Sequence, residues 1–123
     1  MNGEKRLFAL RGAARCRNER ADMEQQVRAL YDALLLENKL EEPDIVSVLF
    51  SVTGDLDAEN PAAALRRSGR AADLALFSLR EAEVQGGLER TIRVLIHCYM
   101  EETARPRHIY RNGAEVLRPD RAG

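Results

Sequence analysis

Apolar residues change their spacing several times along this chain, and each change marks an element. From Arg6 to Arg11 they form a short continuous run that, read at two residues per repeat, puts Leu7 and Ala9 on one face and Phe8 and Leu10 on the other. That is the period of a strand, and Gly12 is expected to end it. The spacing then lengthens. Met23, Val27, Leu30 and Leu34 form a single helical stripe. Asp22, with Gln25 three residues on, reads as an N-cap with its capping box, and the helix should end near Asn38. Asp44 to Thr53 follows, carrying Ile45, Val46, Val48, Leu49, Phe50 and Val52. This β-branched, nearly continuous run predicts a central strand covered on both faces.

Asn60-Pro61 places an N-cap before a proline at the first helical position, so Ala62 to Arg67 should form a short helix stopped by Gly69. Leu74 to Leu79 is a third strand, and Gly86-Gly87 breaks the chain. Thr91 to Tyr99 is a fourth strand, with Arg93, Leu95, His97 and Tyr99 on one face and Ile92, Val94, Ile96 and Cys98 on the other. Asn112-Gly113 favours a type I′ turn, which makes Ile109 to Leu117 a hairpin. The order β-α-β-α-β-β plus a terminal hairpin predicts an α+β fold, a mixed sheet with helices on one face. The other face then needs cover, and association with further copies is a natural source of it.

Length and charge narrow the possibilities. At 123 residues and 13.8 kDa, the whole chain, 1–123, is expected to form a single domain. It carries 20 acids against 19 bases. That near-balance argues against a nucleic-acid partner, which requires a basic excess. No apolar run approaches the ~20 residues of a membrane span, and Leu7 to Leu10 is too short for a signal-peptide core. Cys16 and Cys98 lie far apart without C-x-x-C spacing, so reduced thiols in a cytoplasmic protein are the simplest expectation.

The candidate chemistry is cationic. His97 and His108 have no Cys or His companions at ligand spacing, so no metal site is expected. Gly86-Gly87 lacks the surroundings of a phosphate loop. All bases but Lys5 and Lys39 are arginine. A G+C-rich coding sequence explains much of this bias; two-pronged recognition of carboxylates explains arginine at particular places. Arg11 stands at a strand end. Arg93 interrupts the apolar run Ile92 to Ile96 and so requires an acid, Glu81 or Glu83, or a ligand. Tyr110 and Arg118 flank the expected hairpin. Several cations, a carboxylate and a phenol without a nucleophile suit a small polyanionic ligand better than hydrolysis.

Several segments in order carry a family pattern: Leu10-Arg11-Gly12-Ala13, Ser51-Val52-Thr53-Gly54-Asp55-Leu56, Pro61-Ala62, Glu81-Ala82-Glu83-Val84-Gln85-Gly86-Gly87-Leu88, Ile92-Arg93-Val94, and His108-Ile109-Tyr110 through Val116-Leu117-Arg118-Pro119-Asp120. From about Phe8 to Asp120 the chain resembles the AroH class of monofunctional chorismate mutases. The resemblance implies the Claisen rearrangement of chorismate to prephenate on the way to phenylalanine and tyrosine. It implies no cofactor, and a homotrimeric pseudo-α/β-barrel with active sites between subunits. It also implies residue roles. Arg93 faces the ether oxygen, Arg11 pairs with the side-chain carboxylate, and Glu81 takes the ring hydroxyl with help from the backbone of Ser78. Tyr110 binds a carboxylate, Leu117 lines the pocket, and Arg66 and Arg118 sit at its mouth. Asn60, Ala63 and Ser78 depart from the pattern, where an aromatic residue, a lysine and a cysteine are expected, and the tail after Asp120 is short. Two other readings use the same residues: a non-catalytic trimeric carboxylate-binding module, and an imine or enamine deaminase on a similar scaffold.

Overall fold

A computed structural model describes residues 3–117. Its elements are β1 (Lys5–Arg15), α1 (Arg20–Glu37), a 3-10 turn (Glu42–Asp44), β2 (Ile45–Val52), α2 (Pro61–Arg67), β3 (Ala75–Arg80), β4 (Thr91–Glu101), β5 (Ile109–Arg111) and a second 3-10 turn (Ala114–Leu117). The strands form one sheet in the order β3-β2-β4-β1-β5. β4 runs antiparallel to both β1 and β2, while β3 and β5 pair in parallel at the two edges. The sheet is therefore mixed, as the element order implied. No helix among the described residues is long and apolar enough to cross a membrane.

Alternation in β4 divides the sheet cleanly. Ile92, Val94, Ile96 and Cys98 are buried, whereas Arg93 and Tyr99 are exposed and Leu95 and His97 half-buried. The buried face carries both helices. Leu10, Val48, Phe50 and Ile96 form one core with Val27, Leu30, Tyr31 and Leu34 of α1 and Leu65 of α2. Each such side chain contributes roughly 1.5–3 kcal/mol on burial. The opposite face remains open in the single chain, with Leu7, Phe77, Leu79 and Tyr99 all exposed.

Four local expectations need correction. Gly12 does not end β1, which continues to Arg15. It is instead a packing requirement: a Cβ there would lie 3.0 Å from Leu30 Cδ1, 3.1 Å from Leu34 Cδ1 and 3.1 Å from the Ile109 carbonyl. Glycine lets α1 and β5 close on the strand. Asp22 is not the N-cap. α1 begins two residues earlier, and the Asp22 carboxylate accepts a 2.7 Å bond from the Arg17 amide. Nor is β2 covered on both faces. It lies second from the sheet edge, its register shifts between Ile45 and Ser47, and Val46 is exposed.

The terminal hairpin also does not form. Asn112 and Gly113 do take the positive φ that a type I′ turn demands, +53° and +94°. But Ile109–Arg111 pairs in parallel with the free edge of β1, and the chain then coils into a 3-10 turn. The Asn112 amide donates 2.6 Å to Gln26 Oε1, so the turn is held by α1 rather than by a returning strand.

Three side chains fasten the periphery. Asn38 caps the end of α1 and exchanges two bonds with the Arg107 backbone, donating 2.9 Å to its carbonyl and accepting 2.8 Å from its amide. That contact sets the approach to β5. The fully buried Tyr31 donates 2.5 Å to Glu42 Oε2, which also accepts 2.8 Å from the Ala71 amide. Tyr31→Phe leaves this carboxylate short of a donor. Unfolding in denaturant is expected to show a loss of about 1–3 kcal/mol.

Candidate active site

The open face carries one row of residues drawn from all five strands. Register places Leu79, Ser51, Arg93, Ala13 and Tyr110 side by side on β3, β2, β4, β1 and β5. Paired residues on neighbouring strands project to the same face, and all five line a cavity of about 270 Å³. The small Ala13 between Arg93 and Tyr110 makes it a hollow. In the next row Leu49 and Leu95 floor the cavity beside Arg11. Arg11 and Arg93 are thereby diagonal neighbours, a spacing of ~7–8 Å between backbone positions that long side chains span. Leu117, at the end of the last 3-10 turn, adds an apolar wall.

The sequence requires Arg93 to have an acid partner or a ligand. The structure gives both an acid and an opening. Glu81 Oε1 lies 3.6 Å from Arg93 Nε, and the Arg93 side chain is 45% exposed rather than buried. Glu83 is engaged elsewhere, accepting 2.7 Å from Arg80. Glu81 follows β3 directly and is anchored there by its amide, which donates 2.8 Å to the Val52 carbonyl. It lines an adjoining cavity of about 450 Å³ that shares Arg93.

Four of the residues singled out in the sequence thus meet in one hollow: Arg11, Arg93, Tyr110 and Leu117. Glu81 joins through Arg93. Ser78 and Arg66 lie apart. Ser78 faces α2, donating 3.0 Å to Asn60 Oδ1 beside a third cavity of about 390 Å³. Arg66 donates 3.0 Å to the Leu74 carbonyl. Arg118 falls outside the described residues. Asn60 is the N-cap of α2, its Oδ1 accepting from the Ala62 and Ala63 amides, so two departures from the family pattern are hydrogen-bonded to each other.

Two residues to which the sequence assigns no role support the site. Ser51 donates 2.5 Å to Glu81 Oε1; only the register opposite Arg93 reveals it. His108 accepts 2.9 Å from the Arg11 amide at Nδ1, tying the start of β5 to β1. Burial and the Arg11 guanidinium hold His108 below the usual imidazole range. The unfolded chain therefore takes up this proton first, near pH 6.5. His108 stabilises the fold fully above that pH, and its contribution is lost as pH falls through the lower folded value. Thermal unfolding followed from about pH 7 to about pH 5 is expected to show a shallower acid decline in His108→Gln.

A mixed sheet that presents two guanidinium groups, a carboxylate and a phenol around an apolar-floored hollow defines a receptor for a small anion with an apolar body. Comparison with known proteins gives the class a family. The model described as chorismate mutase type I matches residues 7–121. Chorismate mutase AroH of Bacillus subtilis (strain 168) is 32% identical over 116 residues, covering 93% of this chain and 91% of that protein. Chorismate mutase AroH of Thermus thermophilus is 41% identical over 78 residues, 63% of each. A solved chorismate mutase structure from Clostridium thermocellum superposes with a TM-score of 0.82 at 38% identity, covering 89% of this chain and 99% of that one. The chain belongs to the chorismate mutase type I family, and the deaminase and binding-module readings are not favoured.

Proposed function

We propose that this protein is an isomerase that converts chorismate to prephenate, a step toward the aromatic amino acids phenylalanine and tyrosine. The observation that carries the reading is the cross-strand row with Arg93 at its centre and Arg11 on its flank, next to Glu81. The reaction is a Claisen rearrangement within one molecule. The ether C–O bond breaks as a C–C bond forms, and no proton need move. The protein's task is to hold the flexible dianion in its reactive chair and to meet negative charge growing on the ether oxygen.

Arg93 donates to that oxygen, an interaction realised mainly in the transition state. Arg11 pairs with the side-chain carboxylate, Tyr110 with a carboxylate, and Glu81 accepts from the ring hydroxyl. Leu117, Leu49 and Leu95 supply the apolar surround. A ~10⁶-fold acceleration corresponds to about 8 kcal/mol. One donor aimed at developing charge supplies roughly 3–4 kcal/mol, and conformational restriction covers the remainder.

The uncovered apolar face supports a homotrimer whose sheets close on one another. In such an assembly Ser78 and Arg66, directed away from their own chain's hollow, complete a neighbour's. The two free cysteines fit a cytoplasmic location. The assay is the loss of chorismate absorbance with purified protein, alongside light scattering for mass. A verified trimer without turnover would overturn the assignment.

A further inference from the structure

Glu81 and Arg93 face each other across the site, and what keeps them from simply neutralising one another is a third residue. Bidentate carboxylate–guanidinium pairing is the strongest arrangement open to such a pair. It is not the one observed. The Arg93 Nε to Glu81 Oε1 separation of 3.6 Å is too long for a hydrogen bond. No described residue accepts a hydrogen bond from the Arg93 guanidinium. The Oε1 of Glu81 is taken instead by the Ser51 hydroxyl at 2.5 Å, the short distance of a charge-assisted bond. Ser51 can do this because β2 and β4 pair it directly with Arg93 on the open face. The Glu81 backbone is fixed at the end of β3 by its bond to Val52. The described residues send no hydrogen bond to Oε2, and the Glu81 side chain is 24% exposed.

We propose that Ser51 is a positioning residue that divides the work of this pair, holding Glu81 by Oε1 so that Oε2 receives the substrate's ring hydroxyl and the Arg93 guanidinium stays free for the ether oxygen. The inference rests on the chorismate mutase reading. It makes Ser51 act through two other residues without touching the reacting atoms. Remove the hydroxyl, and the carboxylate swings into a two-pronged pair with Arg93. That movement withdraws the acceptor from the ring hydroxyl and occupies the donor needed in the transition state.

The experiment is a double-mutant cycle read by chorismate consumption. Ser51→Ala is expected to lower kcat/KM by roughly tenfold to a hundredfold, the range for losing a hydrogen bond to a charged group, with kcat falling as well as KM rising. Ser51→Thr keeps the hydroxyl and should restore most of the activity. In a Glu81→Gln background, Ser51→Ala should change kcat/KM by less than about twofold, because the two substitutions disturb one unit. Wild-type turnover with an unaffected Ser51→Ala overturns the positioning role alone. A Ser51→Ala loss that persists in full beside Glu81→Gln overturns it too, since that loss would then be structural. Wild type without turnover removes the mutase reading and this inference with it.

Discussion

Arg93→Lys is expected to lower kcat by roughly 10²–10³-fold, the worth of one preorganised donor to developing charge, while the unfolding midpoint barely moves. The two halves of that expectation come from one observation. Arg93 sits on the open face with its side chain 45% exposed and its contact to Glu81 loose at 3.6 Å. Folding therefore asks little of its charge, since half-exposed ion pairs contribute about 0–1 kcal/mol. Catalysis asks for a planar fork. The guanidinium carries five donors in fixed geometry, so it can point at an ether oxygen while its rim contacts a carboxylate. An ammonium keeps the charge but is compact, strongly hydrated and attached by a flexible stem. Steady-state rates and a thermal melt on the same preparation decide it. A Lys variant retaining most of kcat would remove Arg93 from its assigned place.

The other large effect concerns the open face. Leu95→Asp is expected to leave a folded chain of 13.8 kDa that no longer associates and has lost most of its activity. Leu95 lies in the centre of the face, between Leu49 of β2 and Arg11 of β1. In the single chain it is half-buried, so an aspartate there can reach water and the protomer tolerates it. Between packed sheets the same carboxylate is desolvated, at an effective penalty of several kcal/mol. In the proposed trimer, subunits held by the surrounding apolar residues would come apart, and Ser78 and Arg66 would no longer reach a neighbour's hollow. Light scattering should give a wild type three times the mass of the variant. A wild type running as a single chain, or a variant still assembled and active, contradicts the shared-site arrangement.

Much of the architecture was legible because its causes are local. The alternation in Thr91–Glu101 divides covered from open face residue by residue, since side chains of a strand project in a fixed period. The Met23, Val27, Leu30, Leu34 stripe is fully buried, and Asn60-Pro61 starts α2 at the expected place. What the sequence hid is non-local. Gly12 looks like a breaker until two leucines of α1 and the Ile109 carbonyl are seen crowding its α-carbon. Asn112-Gly113 fixes two dihedral angles, yet the partner of the preceding strand is an edge of β1 about a hundred residues upstream in the chain. Ser51 looks like an ordinary strand residue until register sets it against Arg93. The cationic residues of the site were readable by type; their mutual placement depends on pairings between distant segments.

That dependence has a genetic consequence. A strand side chain changes sides when its register slips by a single position, and the central row of the hollow takes one residue from each of five strands. An in-frame insertion of a single codon within β1 would hand the core Arg11 and offer the cleft Leu10, and one within β4 would exchange Arg93 for an isoleucine or a valine. The same codon added to the connections before α1 or before β5 lengthens a loop and leaves the row aligned. Tolerance to insertion along this gene should therefore map the sheet more sharply than tolerance to substitution.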